Sequence, residues 1–191
     1  MRLFHFSEDP KIARFAPRPV QVPAQRPSGK EWLNGALVWA IDEAHQRLYL
    51  FPRECPRIVL WPKASTSDED RLLWLKDMTK EFDAIAIVES SWVEAIQKST
   101  LCRYELPHGS FEDIQEVGMW VSHQQVEPIT MAILDDLESE LASSRTKLCV
   151  VDSLLQFKPV WGSSVHASGI RLRNARGWGE PGWPHSPPTV R

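Results

Sequence analysis

The chain opens on a strict alternation. In Leu3-Phe4-His5-Phe6-Ser7, Leu3, His5 and Ser7 share one side and Phe4 and Phe6 the other, which predicts a strand of period two. Glu8-Asp9-Pro10 ends it, and Pro10 is placed to start a turn through residues 11–15. Pro17, Pro19, Pro23 and Pro27 keep residues 16–30 out of regular structure; a loop of that length marks a binding element or a lid. Residues 36–41 form a continuous apolar run, as a buried strand does, and Asp42 is placed to cap a short helix over 43–49 that stops before Pro52.

The same reasoning predicts buried strands at 57–61 and 84–89. Between them lies a helix over 69–79, opened by Thr66-Ser67-Asp68-Glu69, with Leu72, Leu73 and Leu75 as its apolar face. A short helix follows at 91–98. Residues 101–106 alternate again, with Leu101, Arg103 and Glu105 opposite Cys102, Tyr104 and Leu106. A strand at 119–122 follows Gly118, residues 126–133 run extended into a helix over 134–143, and 147–151 is a late strand. Pro159 makes 153–161 a broken helix or a loop, and 169–173 reads as a last strand or turn. About seven short strands with interspersed helices, without a regular βαβ alternation, predict an α+β fold. The Gly-, Trp- and Pro-rich run from Gly177 to Pro184 builds no core element, so a single domain over 1–175 followed by a disordered tail over 176–191 is expected.

Composition narrows the function classes. A length of 191 residues suits one domain with a substantial core, and 42% hydrophobic with 25% charged residues is ordinary for a globular protein. A net charge of -3 sets up no field that holds phosphates non-specifically, which argues against a nucleic-acid-binding module. No run approaches the roughly 20 apolar residues of a membrane span, and no signal-peptide core opens the chain. Cys55, Cys102 and Cys149 are far apart and form no CxxC pair, so reduced, buried thiols in a cytoplasmic protein are expected. The 9 Trp are core fillers or, because each keeps an N–H to satisfy, half-wet pocket walls.

Several residues are chemically capable. His5 sits mid-strand in apolar company; its ring either is a satisfied core histidine or holds a ligand and moves a proton. Asp42 caps a helix on which His45 and Tyr49 stand four apart, and Arg53 just beyond clamps an anion or makes a structural ion pair. Arg103 and Glu105 share a strand face, solvated or functional, with His108 in the loop after them. The strand from Met119 delivers Ser122, His123 and Gln124 into a turn, and Arg171 and Arg173 are spaced to face one way. The histidines show no HxH, HxxxH or HExxH spacing, so no metal site is expected. GxGxxG, GxxxxGK[ST] and GxSxG are absent, which removes the Rossmann, P-loop and serine-hydrolase readings.

The blocks His5-Phe6-Ser7-Glu8-Asp9-Pro10, Val38-Trp39-Ala40-Ile41-Asp42-Glu43, Tyr49-Leu50-Phe51-Pro52-Arg53, Tyr104-Glu105-Leu106-Pro107, Gly118-Met119-Trp120-Val121-Ser122 and Ser168-Gly169-Ile170-Arg171-Leu172-Arg173-Asn174-Ala175 resemble, in order, those of a small uncharacterised family of bacterial and fungal proteins. The opening strand, the apolar-aromatic-Ala-x-Asp run and the following helix ending in Tyr also resemble ADP-ribosyltransferase-like domains. That resemblance implies a split sheet around a central cleft and NAD or a nucleotide-like ligand. It also implies His5 on the nicotinamide ribose and Tyr49 stacked on nicotinamide. The carboxylate of that class falls at a strand offering Ser122, His123 and Gln124 in this chain, with Glu127 displaced beyond it.

Three functions follow as expectations. One is an NAD- or nucleotide-binding transferase with His5, Tyr49 and Glu127 as catalytic groups. Ser7, Trp39, Arg53, Arg103, Trp120, Ser122, Gln124 and Arg171 would line its substrate site. The second is a lyase or cyclase doing acid–base chemistry in the same cleft, with His5, Tyr49 and Glu105 or Glu127 as proton carriers and Trp39 and Trp120 shaping an apolar pocket. The third is a binding module whose 16–30 loop or tail meets a protein partner. The partner expected first is a small-molecule ligand, and the sequence sets no oligomeric state.

Overall fold

The computed structural model describes residues 1–179, which divide into two compact units. In chain order the strands are β1 (Leu3–Ser7), β2 (Val38–Asp42), β3 (Arg57–Trp61), β4 (Ala84–Glu89), β5 (Leu101–Leu106), β6 (Glu112–Asp113), β7 (Met119–Ser122), β8 (Thr130–Leu134), β9 (Thr146–Val151) and β10 (His166–Ile170). Three α-helices accompany them: α1 (Asp68–Trp74), α2 (Val93–Lys98) and α3 (Leu137–Ser143). The fold is α+β as expected, with ten strands among the described residues rather than about seven. Strand β8 forms within the stretch predicted to be extended, and β10 overlaps the predicted last strand or turn. The two-residue β6 is unexpected and forms only by pairing with the edge of β7.

The first unit comprises Met1–Tyr49 and Thr100–Asp135. Its six-stranded sheet runs β6-β7-β2-β1-β5-β8, antiparallel throughout. The register places Leu3, His5 and Ser7 opposite Leu106, Tyr104 and Cys102, so these six residues share one face. On that face Leu3, Phe15, Val38, Ala40, Cys102, Tyr104, Leu106, Phe111 and Val126 bury together. Phe15 reaches this core because residues 8–15 fold back over it. The Tyr104 hydroxyl donates to the Asp9 carbonyl at 2.7 Å and accepts the Ile12 N–H at 3.2 Å. Phe15 and Val126 then exchange backbone bonds of 2.7 and 2.9 Å.

Residues 16–30 carry neither helix nor strand, as the prolines require, yet they are fastened. Arg18 bridges Leu37, and the Asn34 amide accepts the Ala24 N–H while donating to the Ala24 carbonyl. Asp42 caps the next turn as expected, its Oδ1 accepting the His45 N–H at 2.8 Å. The turn Glu43–Tyr49 is wound as a 3-10 helix, however. Positions three apart align in that winding, so the His45/Tyr49 pair expected on one face diverges.

The second unit comprises Leu50–Ser99 and, among the described residues, 136–179. Its sheet runs β10-β3-β4-β9, and only β4 and β9 pair in parallel. Every residue of β4 is buried, which accounts for its unbroken apolar run. Residues 153–161, expected to be a broken helix or a loop, form the 3-10 helix Leu154–Gly162. Residues 169–173 divide: Gly169 and Ile170 end β10, Arg171 turns at φ 55°, and Leu172–Asn174 make a short 3-10 turn.

Helix α1 starts as expected, with the Ser67 hydroxyl accepting the Asp70 N–H at 3.2 Å, but it ends at Trp74. Leu72 and Leu73, expected on its buried face, are 74% and 61% exposed, and the chain turns inward only as it leaves the helix, where Leu75 buries. Residues 176–179 open the stretch expected to be a tail. Trp178 is fully buried there, against Trp161 in the core of this unit. A glycine-rich neighbourhood hides this local anchor, because one large side chain docks without any periodicity around it. Residues 180–191 of the expected tail lie outside the described residues. No helix among the described residues is long and apolar enough to cross a membrane.

Candidate functional site

The two faces of the six-stranded sheet separate the candidates. His5 lies half-buried on the face that residues 8–15 cover, with Phe15 at 4.7 Å between ring centroids. Its Nδ1 is 2.8 Å from the Trp39 carbonyl oxygen. A carbonyl only accepts, so Nδ1 carries the proton and Nε2 is the acceptor of the neutral ring. Ser7 is buried beside it and its Oγ accepts the Asp9 N–H at 3.1 Å, the turn that ends β1. Ser122, 1% exposed, donates to Ser110 Oγ at 3.1 Å and accepts the Gln124 N–H at 3.1 Å. Both serines therefore hold turns. Trp120, set opposite Ala40, shares this face and tilts against His108, whereas Gln124 and Glu127 are exposed beyond it.

Tyr49 belongs to the other face. Its ring stacks on Phe6 with centroids 6.5 Å apart, and its hydroxyl points at Met119 Sδ at 3.5 Å. Arg103 donates to Gln46 Oε1 at 3.0 Å and lies 5.2 Å from the Phe4 ring. Trp39 pairs with Val121 and Ala40 with Trp120, so alternation sends the two indoles to opposite faces. Hence Trp39 and Trp120 do not wall one pocket within this sheet, and His5 and Tyr49 do not share one of its faces. Glu105 on β5 is held below the usual carboxylate range, chiefly by its hydrogen bond from Arg2 at 2.7 Å.

Arg53 and Arg171 fall in the second unit. Arg171 donates through Nε to the Arg53 carbonyl at 3.2 Å and faces Glu54 at 3.4 Å, and Arg173 donates to Glu54 at 3.0 Å. A hydrogen bond from Asn174, then the charges of Arg171, Arg173 and Arg53, hold the Glu54 carboxyl below its ordinary range. This cluster ties two loops together. In the same unit burial pushes the Cys55 thiol up to about 12, so it stays protonated at neutral pH.

The most chemically organised group in the first unit centres on His45, a residue the sequence places beside Tyr49 without assigning it a role. Asp42 Oδ1 accepts the His45 backbone N–H at 2.8 Å and also lies 2.7 Å from its ring Nδ1. Asp42 is thus a cap and a carboxylate that orients an imidazole, with the His45 side chain 31% exposed. Gly118 closes the group. It sits at φ +67°, its carbonyl accepts the Asp42 N–H at 2.8 Å, and a Cβ there would lie 2.7 Å from His45 Cβ. The spacing Asp42-x-x-His45 was the available signal, because a cap side chain reaches the third residue of its own turn. In a neutral ring so held, Nδ1 keeps the proton and Nε2 is the basic nitrogen. Along the same turn, Gln46 accepts from Arg103 at 3.0 Å, which sets a cation beside the residue next to His45, while Tyr49 packs on Phe6 and Met119.

A family profile matches residues 4–175, nearly the whole chain. The chain belongs to DUF6886, a family of unknown function. The match runs through both units of this DUF6886 protein and ends just before Trp178. Neither the curated proteins nor the solved structures contain a match. Among the described residues of the DUF6886 chain, no three His, Cys, Asp or Glu side chains converge as metal ligands would.

Proposed function

We propose that this DUF6886 protein is a small-molecule enzyme that moves a proton with His45, oriented by Asp42, on an anionic substrate met by Arg103. The observation that carries the reading is the 2.7 Å contact between His45 Nδ1 and Asp42 Oδ1. It is supported by Gly118, whose missing Cβ leaves the room the imidazole occupies. Asp42 fixes ring orientation and tautomer, and His45 Nε2 takes or returns the proton. This is the lyase or cyclase class of chemistry.

The test is turnover of a panel of phosphorylated and carboxylated metabolites followed by mass spectrometry. Wild type should convert at least one compound, and His45→Ala should lower its kcat by about 100-fold or more. No conversion, or conversion that survives His45→Ala, overturns the reading.

NAD belongs in the same panel. His5 supports the nicotinamide reading, since a ring whose Nδ1 is bonded to the Trp39 carbonyl presents Nε2 as an acceptor for a ribose hydroxyl. Its partner Tyr49 faces the other side of the sheet, so this reading ranks second. A rise in Tm with millimolar NAD that His5→Ala abolishes would restore it to first place.

A further inference from the structure

Two buried donors in the first unit, Arg26 Nε and Trp39 Nε1, have no hydrogen-bond partner among the described residues. A guanidinium N–H and an indole N–H only donate, so what satisfies them is an acceptor. Leaving a buried donor unmet is costly, and a pair of them in one place calls for an explanation. They belong to stacked side chains: the Arg26 guanidinium lies over the Trp39 ring, its carbon 5.6 Å from the centroid, so an acceptor at the edge of the stack is within reach of both.

The charge balance points the same way. Lys30 donates to the Ile114 carbonyl at 3.0 Å, and its ammonium is 3.4 Å from Glu116. The same Glu116 carboxylate also faces Arg26, at 3.6 Å. Among the described residues, two cations thus share one anion, leaving one positive charge over. Behind them Leu33, Leu37, Ile114 and Val121 bury together with Trp39 packed on them, a low-dielectric wall against which charge-assisted bonds are strong.

Arg26 and Trp39 also belong to differently tethered parts of the chain. Trp39 is fixed on β2, and Arg26 rides the proline-rich strap of residues 16–30. The Arg18–Leu37 bridge and the Ala24–Asn34 pair fasten the strap on the N-terminal side of Arg26. On the other side Gly29 turns at φ +85°, with nothing within 4 Å of a Cβ built there. There the Lys30 N–H bonds the Pro27 carbonyl at 3.0 Å and the Gly29 N–H bonds Glu31 at 2.8 Å, so Arg26 is held over Trp39 from both directions.

We propose that this DUF6886 protein binds an oxyanion, the carboxylate or phosphate of a small molecule, between Arg26 on the strap and the indole N–H of Trp39. Lys30 completes the charge. This site does not depend on the role given to His45.

The experiment is titration of uniformly 15N-labelled protein with inorganic phosphate, pyrophosphate and succinate, reading the Trp39 indole N–H, with sodium chloride at matched ionic strength as the control. The indole signal is assigned by its disappearance in Trp39→Phe. A saturable shift of that signal, half-complete at roughly millimolar anion, is expected. Arg26→Lys keeps the charge and loses the fork, and it should weaken binding about tenfold. Arg26→Gln should weaken it further, and His45→Asn should leave it unchanged. Phosphate or pyrophosphate acting alone identifies a phosphate site, and succinate acting alone a carboxylate site. No saturable shift with any of the three, a shift reproduced by chloride, or a shift indifferent to both Arg26 variants overturns the proposal. Loss of binding in His45→Asn with the fold intact would overturn the independence of the two sites. If substrate conversion fails while the oxyanion titration succeeds, only the acid–base reading falls.

Discussion

His45 and Gly118 occupy mutually exclusive space: a single methyl on Gly118 would stand 2.7 Å from His45 Cβ and 2.5 Å from its Nδ1. Gly118 also holds φ +67°, where L side chains are strained. Gly118→Ala is therefore expected to destabilise the protein by about 1–3 kcal/mol and to push the imidazole off Asp42. Urea denaturation measures the first effect and the His45 ring resonances the second. A variant as stable as wild type with an unmoved His45 contradicts the packing described.

Asp42 separates structure from chemistry. Asparagine caps a helical turn about as well as aspartate, so Asp42→Asn should change stability by less than about 0.5 kcal/mol. The amide cannot stabilise an imidazolium as a carboxylate does, so turnover of the panel substrate should fall at least tenfold with KM little changed. Equal losses of stability and activity would make Asp42 a cap and nothing more.

Tyr104 pins residues 8–15 through one hydroxyl that both donates to Asp9 and accepts from Ile12. Tyr104→Phe leaves the ring in place and the Ile12 N–H without its acceptor, at a cost of about 1–3 kcal/mol. Limited proteolysis should then cut within residues 8–15 sooner than in wild type. An unchanged digestion pattern would mean that Phe15 alone holds the segment.

Glu54 links the stability of the second unit to acid. Its folded carboxyl is depressed by Asn174 and then by Arg171, Arg173 and Arg53, so its stabilisation is fully present above the unfolded value, about 4.3. It declines as pH falls below that and is gone once pH passes the depressed folded value. Wild type should therefore out-stabilise Glu54→Gln at pH 7, and the gap should close as pH falls below the unfolded value. The side chain is 47% exposed, so salt should shrink the gap. A gap that grows in acid would reverse the assignment.

Trp178 tests what anchors the chain beyond residue 175. Its indole is fully buried against Trp161, so Trp178→Ala should cost about 3–5 kcal/mol. Truncation after residue 175 removes the indole and should give a lower Tm than truncation after 179, which keeps it. Equal Tm for both truncations would detach Trp178 from the core.

What the sequence determined by itself was local. The alternation of β1 and β5, the unbroken apolar run of β4, the Asp42 and Ser67 caps and the irregular path of residues 16–30 follow from neighbours within a few positions, where sterics and capping bonds act. Tertiary structure decided which candidates meet. One alternation put His5 and Tyr104 on one face, but Tyr49, from a neighbouring turn, reached the other. Leu72 and Leu73 have the hydrophobicity of core residues and stay in solvent because the helix ends before their face finds a partner. His45 and Gly118 are far apart in sequence, and only the β2–β7 register brings them into contact. Period and capping energies act along the chain, whereas the side of a sheet on which two distant residues meet depends on register and on what covers each face, and neither is written in any short stretch of residues.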